Sequence, residues 1–314
     1  MQDTLQRTEF FLKLDDQVDI FVRQWVAVEN PVAVLQLAHG MAEHSMRYAS
    51  FAQACNDQGM IVIANDHRGH GRTGEKAGLM GYFSETDGFD RVVDDLYWIN
   101  GWIKEQFPQL PVFLMGHSMG SFLTRRYLQK YGDSIQGAII MGSGGDPGVA
   151  ANFGKLVARW QMRKDPTKPS TILDKLSFGS FNKGIKDPET KFDWLSRDPL
   201  AVAKYMEDPY CGMVCSSGFF YDLFTGLGLI HDPKLIERIP KDIPLLVLSG
   251  AEDPVGKNGK GVREFVSQYE QAGLTDIKTI LYPGARHELL NEENRTEVIA
   301  DICLWLQKQI NQKT

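Results

Sequence analysis

Ser118 and its flanking residues constrain the fold of this chain more than any other part of the sequence. The pentapeptide Gly-His-Ser-Met-Gly at residues 116–120 follows an apolar run at 111–115 and precedes a segment, 121–128, with apolar residues at helical spacing. A serine on a tight turn between a strand and a helix, with glycines two positions away, is the nucleophile-elbow pattern. The turn lifts the hydroxyl above the sheet, beside free N–H groups at the helix N-terminus. The pattern predicts a nucleophilic serine at the carboxyl end of a strand.

Apolar runs typical of buried strands alternate with helical segments through most of the chain. The predicted strands cover residues 19–26, 33–38, 60–64, 111–115, 137–141, 244–249 and 276–281. The predicted helices cover residues 51–58, 89–106, 121–128 and 292–309, with a further helix between the last two strands. This alternation indicates an α/β fold with a mostly parallel, doubly wound sheet.

The alternation stops between residues 146 and 238, which contain no clear strand, several prolines and many aromatic residues. A structureless loop of this length is improbable in a compact domain, so the segment is predicted to be a mostly helical insertion. Its position between strands places it at their carboxyl ends, where such sheets bind ligands. We therefore predict a core formed by residues 1–145 and 239–314, covered by a helical lid at 146–238.

Length and charge narrow the classes of function. A chain of 314 residues is long enough for one large domain with an insertion, and its net charge of −6 argues against nucleic-acid binding. No apolar run is long enough to span a membrane, and residues 1–9 do not resemble a signal peptide. Four dispersed cysteines suit reduced thiols rather than a disulfide framework. These features favour a cytoplasmic protein and leave its oligomeric state open.

Two residue pairs have spacings that could suggest a metal site. Cys211 and Cys215 are four residues apart, but no second pair at zinc-ligand spacing follows them, so we expect a structural or pocket-lining role. His67 and His70 flank Arg68, whose charge would repel a cation, which favours a structural loop. No metal and no cofactor is therefore expected.

A serine nucleophile needs a base and an orienting acid, which in elbow proteins follow the serine in the order acid, then histidine. Asp253 lies just past the strand at 244–249, and His287 lies past the last strand. Glu252 is a competing acid beside Asp253. The sequence thus predicts a triad of Ser118, Asp253 and His287.

The other histidines fit the role of base less well. His117 lies inside the elbow and is predicted to point away from the reactive face of the serine. His67 and His70 belong to a loop two strands away, and His231 lies within the lid.

An oxyanion hole needs two backbone N–H donors near the attacked carbonyl. In elbow enzymes, the residue after the nucleophile supplies one N–H donor and the loop after an early strand supplies the second. In this chain the residue after the nucleophile is Met119. His39 and Gly40 have the expected form of that loop, which makes Met41 the second predicted donor.

Three segments together resemble the monoacylglycerol lipase and lysophospholipase branch of the α/β-hydrolases: residues 39–48, residues 66–73 and the elbow at 116–120. Two departures from that family stand out. Ala42 occupies a position where the family usually has glycine, and bulky Met41 occupies the donor position, where it could narrow the acyl pocket.

The resemblance covers residues 10–145 and 240–312, and the lid is too variable to carry it. It implies the α/β-hydrolase fold and a carboxylic ester hydrolase that acts on small-molecule esters with apolar acyl chains, through an acyl-enzyme and without a cofactor. Chain length and head group stay open.

Within the lid, residues 217–229 are apolar nearly all round, so a helix there must be buried or line an apolar cavity. Beneath a lid and next to a nucleophile, an acyl-chain pocket is the natural use. The candidate pocket residues are Phe219, Phe220 and Phe224.

An earlier lid segment has the pattern of a basic amphipathic helix. Its apolar face comprises Val149, Phe153, Leu156, Val157 and Trp160. Its basic residues are Lys155, Arg159, Arg163 and Lys164. Such a helix could contact an anionic lipid surface transiently, and the alternative is a helix packed on the core with a solvated polar face.

Other functions would use the same residues. A thioesterase or a cofactor-free haloperoxidase could share the triad, whereas a peptidase would need an acidic anchor in the lid, for which Glu207 and Asp222 are candidates. A non-catalytic ligand receptor of the same fold is the alternative from another class. Such receptors usually lack a triad residue, and this chain has all three.

Overall fold

The computed structural model describes residues 7–312, which build one eight-stranded sheet. Its strands are β1 (Arg7–Lys13), β2 (Asp19–Trp25), β3 (Ala33–Ala38), β4 (Met60–Asn65), β5 (Val112–His117), β6 (Ala138–Met141), β7 (Leu245–Gly250) and β8 (Ile277–Tyr282). The order across the sheet is β1-β2-β4-β3-β5-β6-β7-β8. Strand β2 pairs antiparallel with both β1 and β4, and all other neighbouring strands pair parallel. The predicted mostly parallel, doubly wound sheet is confirmed.

Helices cover both faces and the carboxyl end of the sheet. They are α1 (Ala49–Asn56), α2 (Gly71–Ala77), α3 (Gly88–Gln106), α4 (Met119–Tyr131), α5 (Val149–Met162), α6 (Thr171–Phe178), α7 (Pro199–Glu207), α8 (Ser217–Ile230), α9 (Pro233–Ile236), α10 (Lys260–Gln271) and α11 (Arg295–Asn311). Short 3-10 helices lie at Ser45–Tyr48, Gly132–Ser134, Phe181–Gly184, Asp193–Leu195 and Leu289–Asn291.

Two apolar clusters hold the layers together. One cluster packs α3, α4, α8 and α10 against one face of the sheet, and the other packs α1 and α11 against the opposite face. Strands β3 to β7 are buried along their whole length, which explains why they are continuous apolar runs rather than alternating ones.

The sequence did not predict β1 or α2. Strand β1 pairs antiparallel with β2 at the edge of the sheet, where polar residues such as Glu9 can face solvent. Helix α2 is only seven residues long and contains two glycines, so its periodicity is too weak to recognise.

Between β6 and β7 the chain forms α5 to α9. Four of these helices begin at a serine or aspartate whose side chain accepts a backbone N–H, which satisfies a donor that the helix cannot pair. These N-caps are Ser170, Asp198, Ser216 and Asp232. Helix α8 packs against α3, α4 and α5, so it joins the insertion to the core.

None of the helices in residues 7–312 is long and apolar enough to cross a membrane. Residues 1–6, which belong to the segment that does not resemble a signal peptide, lie outside the described part of the chain.

Candidate active site

Ser118 occupies a strained turn between β5 and α4. Its backbone has φ 53° and ψ −121°, a left-handed conformation that costs free energy for a residue with a Cβ. The neighbouring glycines allow the turn to close. A Cβ on Gly116 would lie 2.1 Å from the Gly120 carbonyl oxygen, and one on Gly120 would lie 2.0 Å from the Ala38 carbonyl oxygen. The turn has the strained strand-to-helix geometry expected of a nucleophile elbow.

His287 and Asp253 form a buried hydrogen-bonded pair. The Nδ1 atom of His287 lies 3.0 Å from Oδ2 of Asp253, and these residues are only 1% and 0% exposed. The Val255 amide donates to the other carboxylate oxygen at 2.8 Å. Glu252 is exposed, so the histidine is oriented by Asp253 rather than by the competing acid.

The second ring nitrogen of His287, Nε2, is buried and has no hydrogen-bond partner among the described residues. Ser118 and His287 line the same cavity. With Nδ1 bound to a carboxylate, the unpaired Nε2 is the atom available to accept a proton. Apo sites often hold these groups slightly apart until substrate binds.

The loop after β3, which carries Met41 and which we call the oxyanion loop, lies directly against Ser118. A Cβ on Gly40 would lie 3.0 Å from Cβ of Ser118, so only glycine allows this approach. Met41 and Met119, the predicted oxyanion donors, line one cavity together with Ser118. Ala42, at the position where the family usually has glycine, has φ 52° and carries backbone strain.

Glu43 is the centre of a buried network beneath this loop. Its carboxylate accepts hydrogen bonds from the Gly40 amide at 2.6 Å and the Tyr48 hydroxyl at 2.8 Å. Burial opposes its ionisation, yet Arg47 and His117 hold the pKa of Glu43 well below its usual range. The carboxylate thus fixes the loop that carries Met41.

His117 lies between this network and the loop after β8 that carries His287. Burial opposes its charged form, but Glu43, 3.1 Å from Nδ1, raises the pKa of His117. Its Nε2 lies 3.3 Å from the backbone oxygen of His287. The contact between His117 and His287 could not be predicted from the sequence, where His117 was considered only as an alternative base.

Arg47 connects three parts of the site. It donates to Glu43 at 2.7 Å and to Glu288 at 2.6 Å, and its guanidinium carbon lies 4.8 Å from the ring centroid of Tyr205 in the lid. The Tyr205 hydroxyl also donates to the Ala42 carbonyl at 3.0 Å. The largely buried side chain of Arg47 therefore joins the oxyanion loop, the loop after β8 that carries His287, and the lid.

Ser118 lies where two cavities meet, and both cavities are also lined by Met41 and Phe178. We call the first, with a volume of about 270 Å³, the polar arm because it has more charged and polar lining residues than the second, although Phe192, Trp194 and Leu195 line it as well. The second, of about 370 Å³, is the apolar arm. Residues that line only the polar arm include Glu43, Asp174, Lys175, Asn182, Lys191 and Tyr205. Residues that line only the apolar arm include Met119, Phe122, Phe153, Leu223, Phe224 and Leu227.

The three candidate pocket phenylalanines lie in different surroundings. Phe224 lines the apolar arm. Phe219 and Phe220 are fully buried in the core and are not among the residues that line it. Helical periodicity could not reveal this difference because α8 is apolar nearly all round.

The histidines in the loop after β4 are structural. His39 and His67 have ring centroids 4.1 Å apart, and the His67 amide donates to Nε2 of His39 at 2.9 Å. Burial lowers the pKa of both residues, and lowers that of His70 to about 3. These rings are neutral at physiological pH and support the base of the oxyanion loop.

Comparison with known proteins extends these observations. A sequence model of the family described as serine aminopeptidase, S33, matches residues 29–294. A monoacylglycerol lipase of Mycolicibacterium smegmatis is 30% identical over 285 residues, which is 90% of each chain. The human monoglyceride lipase is 27% identical over 297 residues, covering 92% of this chain and 87% of the relative.

Solved structures show the same architecture. A thermostable carboxyl esterase from Bacillus coagulans, in complex with glycerol, superposes with a TM-score of 0.90 at 28% identity, covering 98% of this chain and all of that one. The monoacylglycerol lipase of Paleococcus ferrophilus has a TM-score of 0.70 at 25% identity, covering 92% and 99% of the two chains. The α/β-hydrolase fold implied by the sequence motifs is therefore confirmed.

Proposed function

Because this chain belongs to the serine aminopeptidase S33 family of α/β-hydrolases, we propose that it hydrolyses carboxylic esters of apolar acyl chains, such as monoacylglycerols or lysophospholipids. The observation that carries the proposal is the position of Ser118 at the junction of a strongly apolar cavity and a second cavity whose lining also includes charged and polar side chains. An ester with an apolar acid and a polar alcohol needs one cavity of each kind on either side of its carbonyl. The similarity to the monoacylglycerol lipase of Mycolicibacterium smegmatis and to the human monoglyceride lipase supports the same substrate class.

The proposed reaction uses the residues as follows. Ser118 Oγ attacks the ester carbonyl while His287 Nε2 takes its proton, and Asp253 stabilises the imidazolium through Nδ1. The amides of Met41 and Met119 bind the oxyanion. His287 then returns the proton to the leaving alcohol, which gives an acyl-enzyme on Ser118. Water attacks this second ester with the same histidine as base, and the acid is released.

We place the acyl chain in the apolar arm. Phe122, Leu223 and Leu227 offer it hydrocarbon surface, and each buried methylene contributes about 0.8 kcal/mol. The alcohol then occupies the polar arm, where Asn182 and the charged lid residues can hydrogen-bond to hydroxyl groups.

The structure favours an ester over a peptide. Glu207 lines a separate cavity with Arg197 and Arg286, and Asp222 faces the start of α3 at Gly88. Neither predicted peptidase anchor lines a cavity that contains Ser118.

Asp174 is the lid carboxylate that does line the polar arm. Lys175 and Lys191 line the same arm, and the charge of Lys191 acts on Asp174. The carboxylate is therefore not an isolated anchor for a substrate amine.

We further propose that the lid contacts lipid surfaces transiently. Val149, Phe153, Leu156 and Trp160 of α5 are 84%, 59%, 66% and 62% exposed, and the same helix carries Lys155 and Arg159. Exposed apolar side chains beside basic ones suit an anionic membrane interface. Phe153 also lines the apolar arm, so a docked lid would place lipid next to the acyl site.

A substrate panel tests the enzymatic proposal. It comprises p-nitrophenyl esters of increasing acyl length, monoacylglycerols, lysophospholipids, acyl thioesters, an aminopeptidase substrate and a haloperoxidase assay. We expect ester hydrolysis that increases with acyl length and is lost in Ser118→Ala. If the protein converted the thioester, the peptide or the halide faster than the esters, that compound and not the ester would define its substrate class. Absence of all turnover would favour a ligand receptor.

Sedimentation with vesicles tests the lipid contact. We expect binding to phosphatidylglycerol vesicles and weaker binding to phosphatidylcholine vesicles. Trp160→Ala and Leu156→Ala should reduce binding without changing hydrolysis of a short dissolved ester, because neither residue is among those that line the apolar arm. Equal binding by wild type and both variants would refute contact through α5.

A further inference from the structure

Three side chains of metal-ligand type meet where the lid lies on the oxyanion loop. The Nε2 atom of His44 lies 2.9 Å from Oδ2 of Asp208, and Cys211 completes a group in which the ligand atoms lie within 4.8 Å of one another. His44 follows Met41 in the loop after β3, whereas the other two residues lie between α7 and α8. The group is therefore shared between core and lid.

We propose that His44, Asp208 and Cys211 form a binding site for a divalent zinc-like cation, with water as the fourth ligand. An imidazole nitrogen, a carboxylate oxygen and a thiolate sulfur together are a ligand set that suits Zn²⁺. Tetrahedral zinc, with bonds of about 2.0–2.3 Å, holds its ligand atoms about 3.3–3.7 Å apart. The spacing of the group is close enough for small side-chain rotations to close the site.

The charges around the group favour a cation. Cys211 experiences the negative charges of Glu43, Asp208 and Glu288 and the positive charge of Arg47. Arg47 is already engaged by Glu43 and Glu288, so its charge is offset by two carboxylates. Asp208 then leaves an excess of negative charge beside the thiol.

This environment also determines what cation binding must displace. On binding, the Cys211 S–H proton passes to solvent as a sulfur–metal bond forms. The Nε2 proton of His44 moves to Nδ1 by exchange with solvent, so that Nε2 can bind the cation, and metal–ligand bonds replace the hydrogen bond between His44 and Asp208. Affinity should therefore increase with pH.

The lid segment that supplies two of the ligands is held in place without a metal. Tyr210 donates its amide to Asp208 Oδ1 at 2.9 Å, and Cys211 donates its amide to the Asp208 carbonyl at 3.0 Å. The Gly212 amide donates to the Ala42 carbonyl at 3.0 Å, which attaches the segment to the oxyanion loop. A bound cation would strengthen this attachment and resist lid opening.

Spacing in the sequence could not reveal this group. His44 and Asp208 are 164 residues apart, and the fully buried Cys215, four residues from Cys211 in the sequence, does not belong to it. Cys215 is therefore a matched control for the thiol.

Absorption spectroscopy with Co²⁺, followed by titration with Zn²⁺, tests the site on the full chain. We expect one equivalent of Co²⁺ to bind with a thiolate-to-cobalt charge-transfer band and the visible bands of tetrahedral cobalt, and Zn²⁺ to displace it. Cys211→Ser should remove the charge-transfer band, and Cys215→Ser should keep it. His44→Gln and Asp208→Asn should each weaken Zn²⁺ binding by about tenfold or more.

A charge-transfer band that survives in Cys211→Ser, or the absence of saturable binding, would overturn the proposal. The variants must have the thermal unfolding profile of the wild type, and Cys211→Ala provides a second thiol-free variant if the serine disturbs the loop. The spectroscopic result does not depend on any enzymatic activity, so it stands apart from the proposed ester hydrolysis.

Discussion

Arg47 donates two hydrogen bonds to the carboxylate of Glu288, at 2.6 Å and 2.7 Å, and Glu288 directly follows His287 in the chain. The same guanidinium donates to Glu43 at 2.7 Å, in the loop that carries Met41. The side chains of Arg47 and Glu288 are only 11% and 4% exposed, so this pair is poorly screened by water. The two loops that carry Met41 and His287, which act together in the proposed reaction, are thus fixed to one charged group.

We expect Arg47→Met to lower the free energy of unfolding by about 3–5 kcal/mol, because it leaves two buried carboxylates without their cation. Arg47→Lys should lower the free energy of unfolding by a smaller amount, since lysine keeps the positive charge but cannot form the paired hydrogen bonds. Arg295→Met is the matched control, because its ion pair with Asp198 is half exposed and should contribute about 1 kcal/mol at most. Urea denaturation gives the free energy of unfolding of the three variants. Equal decreases in Arg47→Met and Arg295→Met would contradict the structural role of Arg47.

Exchange of the two neighbouring acids tests the orientation of His287. Asp253→Asn should lower kcat on the order of 10³-fold or more, because it removes the charge that stabilises the imidazolium. Glu252→Gln should change kcat much less, since that side chain is exposed and His287 is bonded to Asp253. Steady-state kinetics on the best ester of the panel gives the comparison. Similar losses in the two variants would mean that Asp253 has no special role.

Two phenylalanines of α8 separate a pocket role from a core role. Phe224 lines the apolar arm, so Phe224→Ala should enlarge it and shift the preferred acyl chain towards longer lengths. Phe220 is fully buried, so Phe220→Ala should instead lower the free energy of unfolding by about 3–5 kcal/mol without changing the preferred length. The ratio of kcat/KM for long and short esters is the measurement. An unchanged length profile in Phe224→Ala would remove that residue from the acyl site.

The pH dependence of stability should reveal the buried His231. Burial, then the charge of Arg125, lowers the pKa of His231 from 6.5 to about 4, while Gln268 and Asp146 favour its charged form and Lys257 opposes it. The unfolded chain therefore binds a proton on this residue between these two pH values and the folded chain does not. Its contribution is fully present above pH 6.5 and is lost as the pH falls towards 4.

Urea unfolding of wild type and His231→Asn at a series of pH values tests this assignment. The difference in stability between them should depend on pH within that window and be constant above it. A difference that does not change with pH would show that His231 is not buried in its neutral form.

The proximity of the candidate triad residues could be predicted from the sequence because parallel strands bring their carboxyl ends to one edge of a sheet. An elbow serine, an acid after β7 and a histidine after β8 must then lie near one another. The sequence also favoured Asp253 over Glu252, and the structure adds that His287 is hydrogen-bonded to Asp253 while Glu252 is exposed.

The contacts of Arg47, by contrast, could not be predicted. Arg47 and Glu288 are 241 residues apart, and no periodic pattern relates them. The division of the cavity into polar and apolar arms could not be predicted from the sequence either, because it depends on how α5, α6 and α8 pack over Ser118. Helix α5 shows the same limit: its amphipathic pattern could be read from the sequence, but the exposure of its apolar face depends on tertiary packing.

The most direct test of the account is covalent labelling with a fluorophosphonate, followed by mass spectrometry of the labelled peptide. An activated serine attacks phosphorus quickly, so we expect one label, on Ser118, formed in parallel with loss of ester hydrolysis. Ser118→Ala should abolish labelling while the protein stays folded, and Ser267→Ala, at a half-buried serine of α10, should label like the wild type. A label that persists in folded Ser118→Ala, or a wild type that resists the reagent, would contradict the assignment of Ser118 as the activated nucleophile.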